Sequence, residues 1–195
     1  MIIRSALRKN APSVTSQSVV AEIVEGIQPF DNLEKEHLQG TLSWIKSGAP
    51  LFRIQKPDTP PQHLVSYFVL FDEGAQKILL VDHKKAQLWL PSGGHVELDE
   101  NPKETVEREC FEELNIQADF WCEDPVFITV TKTVGLTAGH TDVSLWYILR
   151  GNHRDAYHFD GEEFHGIRWF DFKDIPFEKS DPHMGRFIQK LRGML

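Results

Sequence analysis

The sequence predicts an α/β protein built on a mixed β-sheet, preceded by an N-terminal helical extension. Three observations carry that prediction. Runs of strand length, rich in β-branched and aromatic residues, recur between Leu64 and Phe170. One interval between them holds a segment with helix signals at both ends, and the chain closes on an amphipathic stretch.

Taken in order, DNLEKEHLQGTLSWIKS (31–47) places Leu33, His37, Leu42 and Trp44/Ile45 on one side of a helix. Asp31 caps its start and Gly48 follows its last turn. Pro57, Pro60 and Pro61 then argue against regular structure and put the boundary within residues 55–62. Residues 1–60 therefore read as an extension with one helix, packed on the main domain or on a partner in a homodimer, and 61–195 as the main domain.

LVSYFVLF (64–71) and KILLVDH (77–83) read as strands joined by a hairpin turn at Asp72-Glu73-Gly74. A short apolar QLWL (87–90) leads into Pro91-Ser92-Gly93-Gly94, and HVEL, with Glu97, reads as strand-like. Asn101, Pro102 and Glu104 form a capping-box start for a helix over Pro102–Leu114. Asn115 ends it, because asparagine tolerates the left-handed conformation. VFITVTKTV (126–134), VSLWYIL (143–149) and FHGIRWF (164–170) supply further strands. A last helix over His183–Leu191 buries Phe187, Ile188 and Leu191.

The charge balance narrows the function. Lys and Arg total 21 against 29 Asp and Glu, a formal charge of −8, so no nucleic acid polymer is expected as a partner. Cys110 and Cys122 match neither a disulfide framework nor a cysteine zinc cluster, which favours a reducing, cytoplasmic setting. No apolar run reaches membrane-spanning length, so no membrane is expected as a partner. Arg4, Arg8 and Lys9 precede the first acid, Glu22, and read as an ordinary N-terminus rather than a targeting segment.

One segment demands a chemical explanation. Between Glu97 and Glu113 there are eight acids against only Lys103 and Arg108. On the helix, Val106, Cys110 and Leu114 recur every four residues and face the sheet, while Glu109, Glu112 and Glu113 share another side at i, i+3 and i+4. Arg108 is placed to pair with Glu104 or Glu112. By spacing alone the carboxylates are either a solvated face or a cation site, and an all-oxygen set would favour Mg2+ or Mn2+.

Residues 94–116 closely resemble the Nudix box. Gly94 stands at its first glycine, Glu100 at its first acid, Arg108-Glu109 at its central pair, and Glu112-Glu113 and Ile116 follow in register. Cys110 replaces an aliphatic residue and Asn115 the second glycine. The resemblance implies an α/β/α sandwich and a hydrolase of the Nudix, MutT-like kind. Its substrate would be a nucleoside diphosphate linked to another moiety, such as a nucleoside triphosphate or nucleotide-sugar. The implied metal ligands are Glu109, Glu112 and Glu113, with Gly94 and Glu97 at the periphery, and Arg108 supports them.

The resemblance leaves the general base open between Glu113, Glu112 and the later acids Glu162 and Glu163. Candidate substrate contacts are His95, Lys84 and Asp142, together with Trp89 and Trp146, each of which reads equally as core or pocket wall. Lys85, Arg53, Lys56 and His140 are weaker candidates for the same role. Thr131, where a proline would resemble the ADP-ribose-cleaving branch, and the lack over Lys132–Val134 of the tyrosine of the dinucleoside-polyphosphate branch assign no specialised branch. A non-catalytic nucleotide-binding module is the alternative.

Overall fold

In a computed structural model of the chain, residues 17–55, 59–98 and 100–195 are described. Arg4, Arg8, Lys9, Lys56 and Pro57 lie outside them. The elements are α1 (Gln17–Gly26), α2 (Asn32–Lys46), β1 (Gln62–Asp72), β2 (Lys77–His83), β3 (Leu88–Leu90), β4 (Ser92–His95), α3 (Pro102–Leu114), β5 (Phe127–Lys132), β6 (Thr141–Arg150), β7 (Phe164–Asp171) and α4 (Met184–Met194).

The strands form one mixed sheet in the order β3-β2-β1-β6-β5, with β4 paired to β1 and β7 to β2. β1 and β6 run parallel, and the other named pairs are antiparallel. Alternation along the strands sends Phe68 and Leu70 to one face and Val69 and Phe71 to the other. On the first face they meet Val106, Cys110 and Leu114 of α3, all fully buried, together with Val20, Val24 and Ile45 of the first two helices. On the second face they meet Phe187, Ile188 and Leu191 of α4. The sheet is thus covered on both sides, as an α/β/α sandwich requires.

The extension differs from its sequence reading. It contains two helices, and α1 buries Val20 and Val24, four residues apart. In α2 the cap is as read, with Asp31 Oδ1 accepting from Glu34 N at 2.8 Å. The buried residues, however, are Glu34, Thr41 and Ile45, while Leu33 is exposed.

The reason is tertiary. Glu34 carries no exposed surface and is held by Lys190 Nζ at 2.7 Å, Phe30 N at 2.6 Å and Ile128 N at 3.3 Å. Burial lowers the Lys190 pKa, with the Glu34 contact opposing that effect. Arg186 of α4 donates to Asp31 and, with the backbone donors there, holds its carboxyl at about 2.

Two further boundaries shift. β5 stops at Lys132, leaving Val134 exposed, and β4 stops at His95, which leaves Glu97 in an exposed turn rather than a strand. No helix among the described residues is long and apolar enough to cross a membrane.

Candidate active site

The site is assembled where β4 passes under α3. Asn101 accepts from Lys103 N and Glu104 reaches back to Asn101 N, closing the capping box, while Asn115 ends the helix at φ 53°. Ser66 of β1 donates to Pro102 O at 2.8 Å and fixes the helix start over the sheet. That docking lays the Glu109 and Glu113 turn of α3 across the glycine pair of β4.

Both glycines are demanded by this approach. Gly93 has φ 137°, and a Cβ there would lie 2.1 Å from Ser66 O. At Gly94 a Cβ would lie 1.9 Å from Glu109 Oε1. Gly93 also donates its N–H to Glu113 Oε2 at 3.0 Å. The glycines therefore set two carboxylates directly on the backbone.

Electrostatics distinguishes the three glutamates. Burial pushes the Glu113 carboxyl well above the usual range, and neighbouring Glu109 adds to the effect, against the Gly93 hydrogen bond. Burial also raises Glu109, with Arg108 opposing. Glu112 is more than half exposed. Two buried like charges side by side bind a proton or a cation more readily than they coexist bare.

Arg108 is the hub of the acids. Its Nε and Nη2 grip both oxygens of Glu100 at 2.8 and 3.0 Å, Nη1 donates to Glu109 at 2.6 Å and to Glu112 at 3.2 Å, and Nη2 reaches His95 O at 3.3 Å. The forked guanidinium suits such a network. Pairing with Glu104 does not occur, because that carboxylate is spent on the capping box. Burial of Glu100 works to raise its pKa, but hydrogen bonds from Arg108, Glu97 N and Thr105 outweigh it and keep the carboxylate ionised. Residue 100 is thus a fixed anion that orients Arg108, a role its place in the sequence did not reveal.

The loop at residues 160–163 closes the far side. Asp160 N donates to Glu113 O at 2.9 Å, and Glu163 is close enough for its charge to raise both Glu109 and Glu113. Glu162 is exposed, with its N–H on Asp160 Oδ1. Lys84 donates its N–H to Glu163 O and its ammonium to Gly161 O, so it is occupied in latching this loop.

The remaining sequence candidates separate. Trp146 has no exposed surface: its ring lies among Tyr67, Phe127 and Phe187, and its Nε1 donates to Thr129 Oγ1 at 2.9 Å. Its place on a central strand makes it core, so it offers no face to a substrate. Trp89 is half-buried, edge-on to Phe170, on the sheet face opposite α3.

His95 and Asp142 come together with two residues given little or no weight above, His63 and His140. The four could hold a divalent metal, each offering one ligand atom within 4.8 Å of the others. His140, just before β6, and Asp142, its second residue, are two apart and share a side, and that much was readable. His63 joins them only through the pairing of β1 with β6, for which the sequence has no local signal.

The NUDIX domain family matches residues 61–191, and the chain belongs to that family. Its class is that of a Nudix hydrolase, a pyrophosphohydrolase of a diphosphate-containing substrate. A NUDIX-family hydrolase from Clostridium perfringens is similar in structure at 19% identity and TM-score 0.53, covering 68% of this chain and 98% of that one. The MutT protein of Methanosarcina mazei Go1 is similar at 18% identity and TM-score 0.53, covering 72% and 98%. The dihydroneopterin triphosphate pyrophosphohydrolase of E. coli is similar at 14% and 0.51, covering 72% and 99%. No curated protein matches the chain.

Proposed function

We propose that the chain cleaves the diphosphate of a nucleoside diphosphate linked to another moiety, a nucleoside triphosphate or nucleotide-sugar, using Mg2+ or Mn2+. The observation that supports it is the meeting of Glu109 and Glu113 on the Gly93–Gly94 backbone, where burial disfavours two bare negative charges.

This all-oxygen donor set fits a hard cation. Glu109, Glu112 and Glu113 would hold it, with Gly94 and Glu97 as peripheral candidates. When bound, such an ion would neutralise diphosphate oxygens and acidify an attacking water.

The protein's own groups do the rest. Glu113 is the first candidate for general base, because its carboxylate is fixed at the glycine pair with Glu109 beside it. Glu163, facing the same carboxylates from the 160–163 loop, is the second, and Glu112 a third. Water adds at phosphorus, its proton passes to that carboxylate, and the bond from phosphorus to the bridging oxygen breaks. Arg108 acts as a positioning residue that holds Glu109 and Glu112 in place. His95, beside the glycine pair, is the nearest candidate for a phosphate contact. Lys84, beside the 160–163 loop, is a candidate at greater remove.

The test is a product screen of the purified chain against nucleoside triphosphates, nucleotide-sugars, ADP-ribose, NADH and dinucleoside polyphosphates, with Mg2+ or Mn2+. Metal-dependent cleavage of one class, lost in Glu112→Gln and Glu113→Gln, is the expected result. Selective binding without products would make the chain a nucleotide-binding module instead.

A further inference from the structure

We infer that His63, His140 and Asp142, with His95 as an exchangeable fourth ligand, form a site for a zinc-class transition metal, separate from the carboxylates of α3.

The site is built where three strand ends converge. His63 and Asp142 are register partners on the parallel strands β1 and β6, His95 ends β4 on the other side of β1, and His140 immediately precedes β6. Ring centroids lie 4.6 Å apart for His63 and His95 and 4.8 Å for His63 and His140. Asp142 Oδ1 stands 3.3 Å from His63 Nε2, 3.2 Å from His140 Nε2 and 4.0 Å from His95 Nε2. Tetrahedral zinc with bonds near 2.0 Å sets its ligand atoms about 3.3 Å apart. Two of the three distances already match that edge.

Hydrogen bonding points the same way. His63 Nδ1 is 2.9 Å from Pro60 O, and a carbonyl can only accept, so Nδ1 carries the proton. His63 Nε2 then points at the Asp142 carboxylate, and neither buried atom completes a hydrogen bond. His63 has no exposed surface at all. A buried ring nitrogen and a buried carboxylate oxygen left without a hydrogen bond are placed to share a cation.

The Nδ1–H to carbonyl bond is the outer contact that orients metal-binding imidazoles. Thr133 Oγ1 stands 3.3 Å from His140 Nδ1 and can serve that ring in the same way. Three imidazoles and one carboxylate suit zinc or cobalt, whereas magnesium prefers oxygen.

His95 is the outlier because Arg53 Nη1 lies 3.3 Å from its Nε2. The guanidinium donates there, so metal binding by that nitrogen exchanges Arg53 for the cation. Arg53→Ala is therefore expected to tighten binding.

The experiment is a titration of the chelator-stripped full chain with Co2+, followed by visible absorption, with Zn2+ as competitor. One equivalent should bind with the intense spectrum of tetrahedral cobalt, be displaced by Zn2+ and resist excess Mg2+. The spectrum should persist in Glu109→Gln/Glu112→Gln/Glu113→Gln. Affinity should fall roughly a hundredfold or more in His63→Gln and Asp142→Asn, and less in His95→Gln.

Absence of a tetrahedral spectrum in the parent chain would overturn the assignment. So would a spectrum lost in the glutamate variant but kept in His63→Gln. Should His63→Gln or Asp142→Asn fail to fold by circular dichroism, X-ray absorption on the cobalt-loaded parent decides. Scattering from two or three imidazoles supports the site, and oxygen ligands alone reject it.

Discussion

Glu109 Oε1 lies where the first side-chain carbon of any larger residue at Gly94 would have to go, 1.9 Å from that position. The obstacle is the tip of a flexible side chain, so Gly94→Ala can be accommodated by swinging Glu109 aside. The fold should survive with a melting temperature close to the parent's. Hydrolysis should fall by about a hundredfold, the scale expected when a catalytic group is displaced by an ångström. Parent-like turnover in a folded Gly94→Ala protein would show that the position of Glu109 is unimportant.

Gly93 answers differently to the same change. Its φ of 137° is strained for any L side chain, and the added carbon would meet backbone, Ser66 O at 2.1 Å. Backbone in the central sheet cannot swing aside, so Gly93→Ala should destabilise the protein by at least about 2 kcal/mol. Urea unfolding measures this. An unfolding midpoint equal to the parent's would mean that β4 has room to move away from β1.

How much of this was legible follows from which interactions are local. The capping box of α3, Asn115 at its end, and the burial of Val106, Cys110 and Leu114 all arise within one helix, and each was readable from spacing. Spacing also put Glu109, Glu112 and Glu113 on one side of that helix, whereas only the family resemblance singled them out as a site. Glu100 as the anchor of Arg108 depends on the turn before α3 folding back along the helix, and the convergence of His63 with His140 and Asp142 on how distant segments meet. Trp146 stayed open between core and substrate contact because a strand tryptophan reads alike whether its ring faces solvent or, as here, Phe187. In α2 the apolar stripe was outweighed by a buried Glu34 whose partner lies 156 residues away.

That Glu34–Lys190 pair yields a stability prediction. Removing one member of a buried ion pair strands the other, at about 3–5 kcal/mol. Lys190→Met should therefore destabilise the protein by roughly 3 kcal/mol, at the lower end because Glu34 keeps the Phe30 and Ile128 N–H groups. The loss should appear first as faster amide exchange in α1 and α2. A change below about 1 kcal/mol, the range of surface pairs, would mean that water reaches this pair readily.

Asp181 supplies the pH dependence. It is 5% exposed, and burial, helped by the charge of Asp142, raises its pKa from 3.8 to about 6, against a hydrogen bond from His183 N at 2.7 Å. Between pH 4 and 6 the folded protein holds a proton on this group that the unfolded chain has released. Stability from this group therefore falls as pH rises through that window, by about 2–3 kcal/mol at most. Asp181→Asn keeps an oxygen that can accept from His183 N but carries no charge. The variant should gain on the parent steadily from pH 4 to 6 and by a constant amount above that. Chemical denaturation of both proteins at intervals across this range measures the difference. A gap that stays flat with pH would show that Asp181 titrates alike in the folded and unfolded states. A gap that narrows as pH rises would mean that an unseen cationic partner stabilises its charged form.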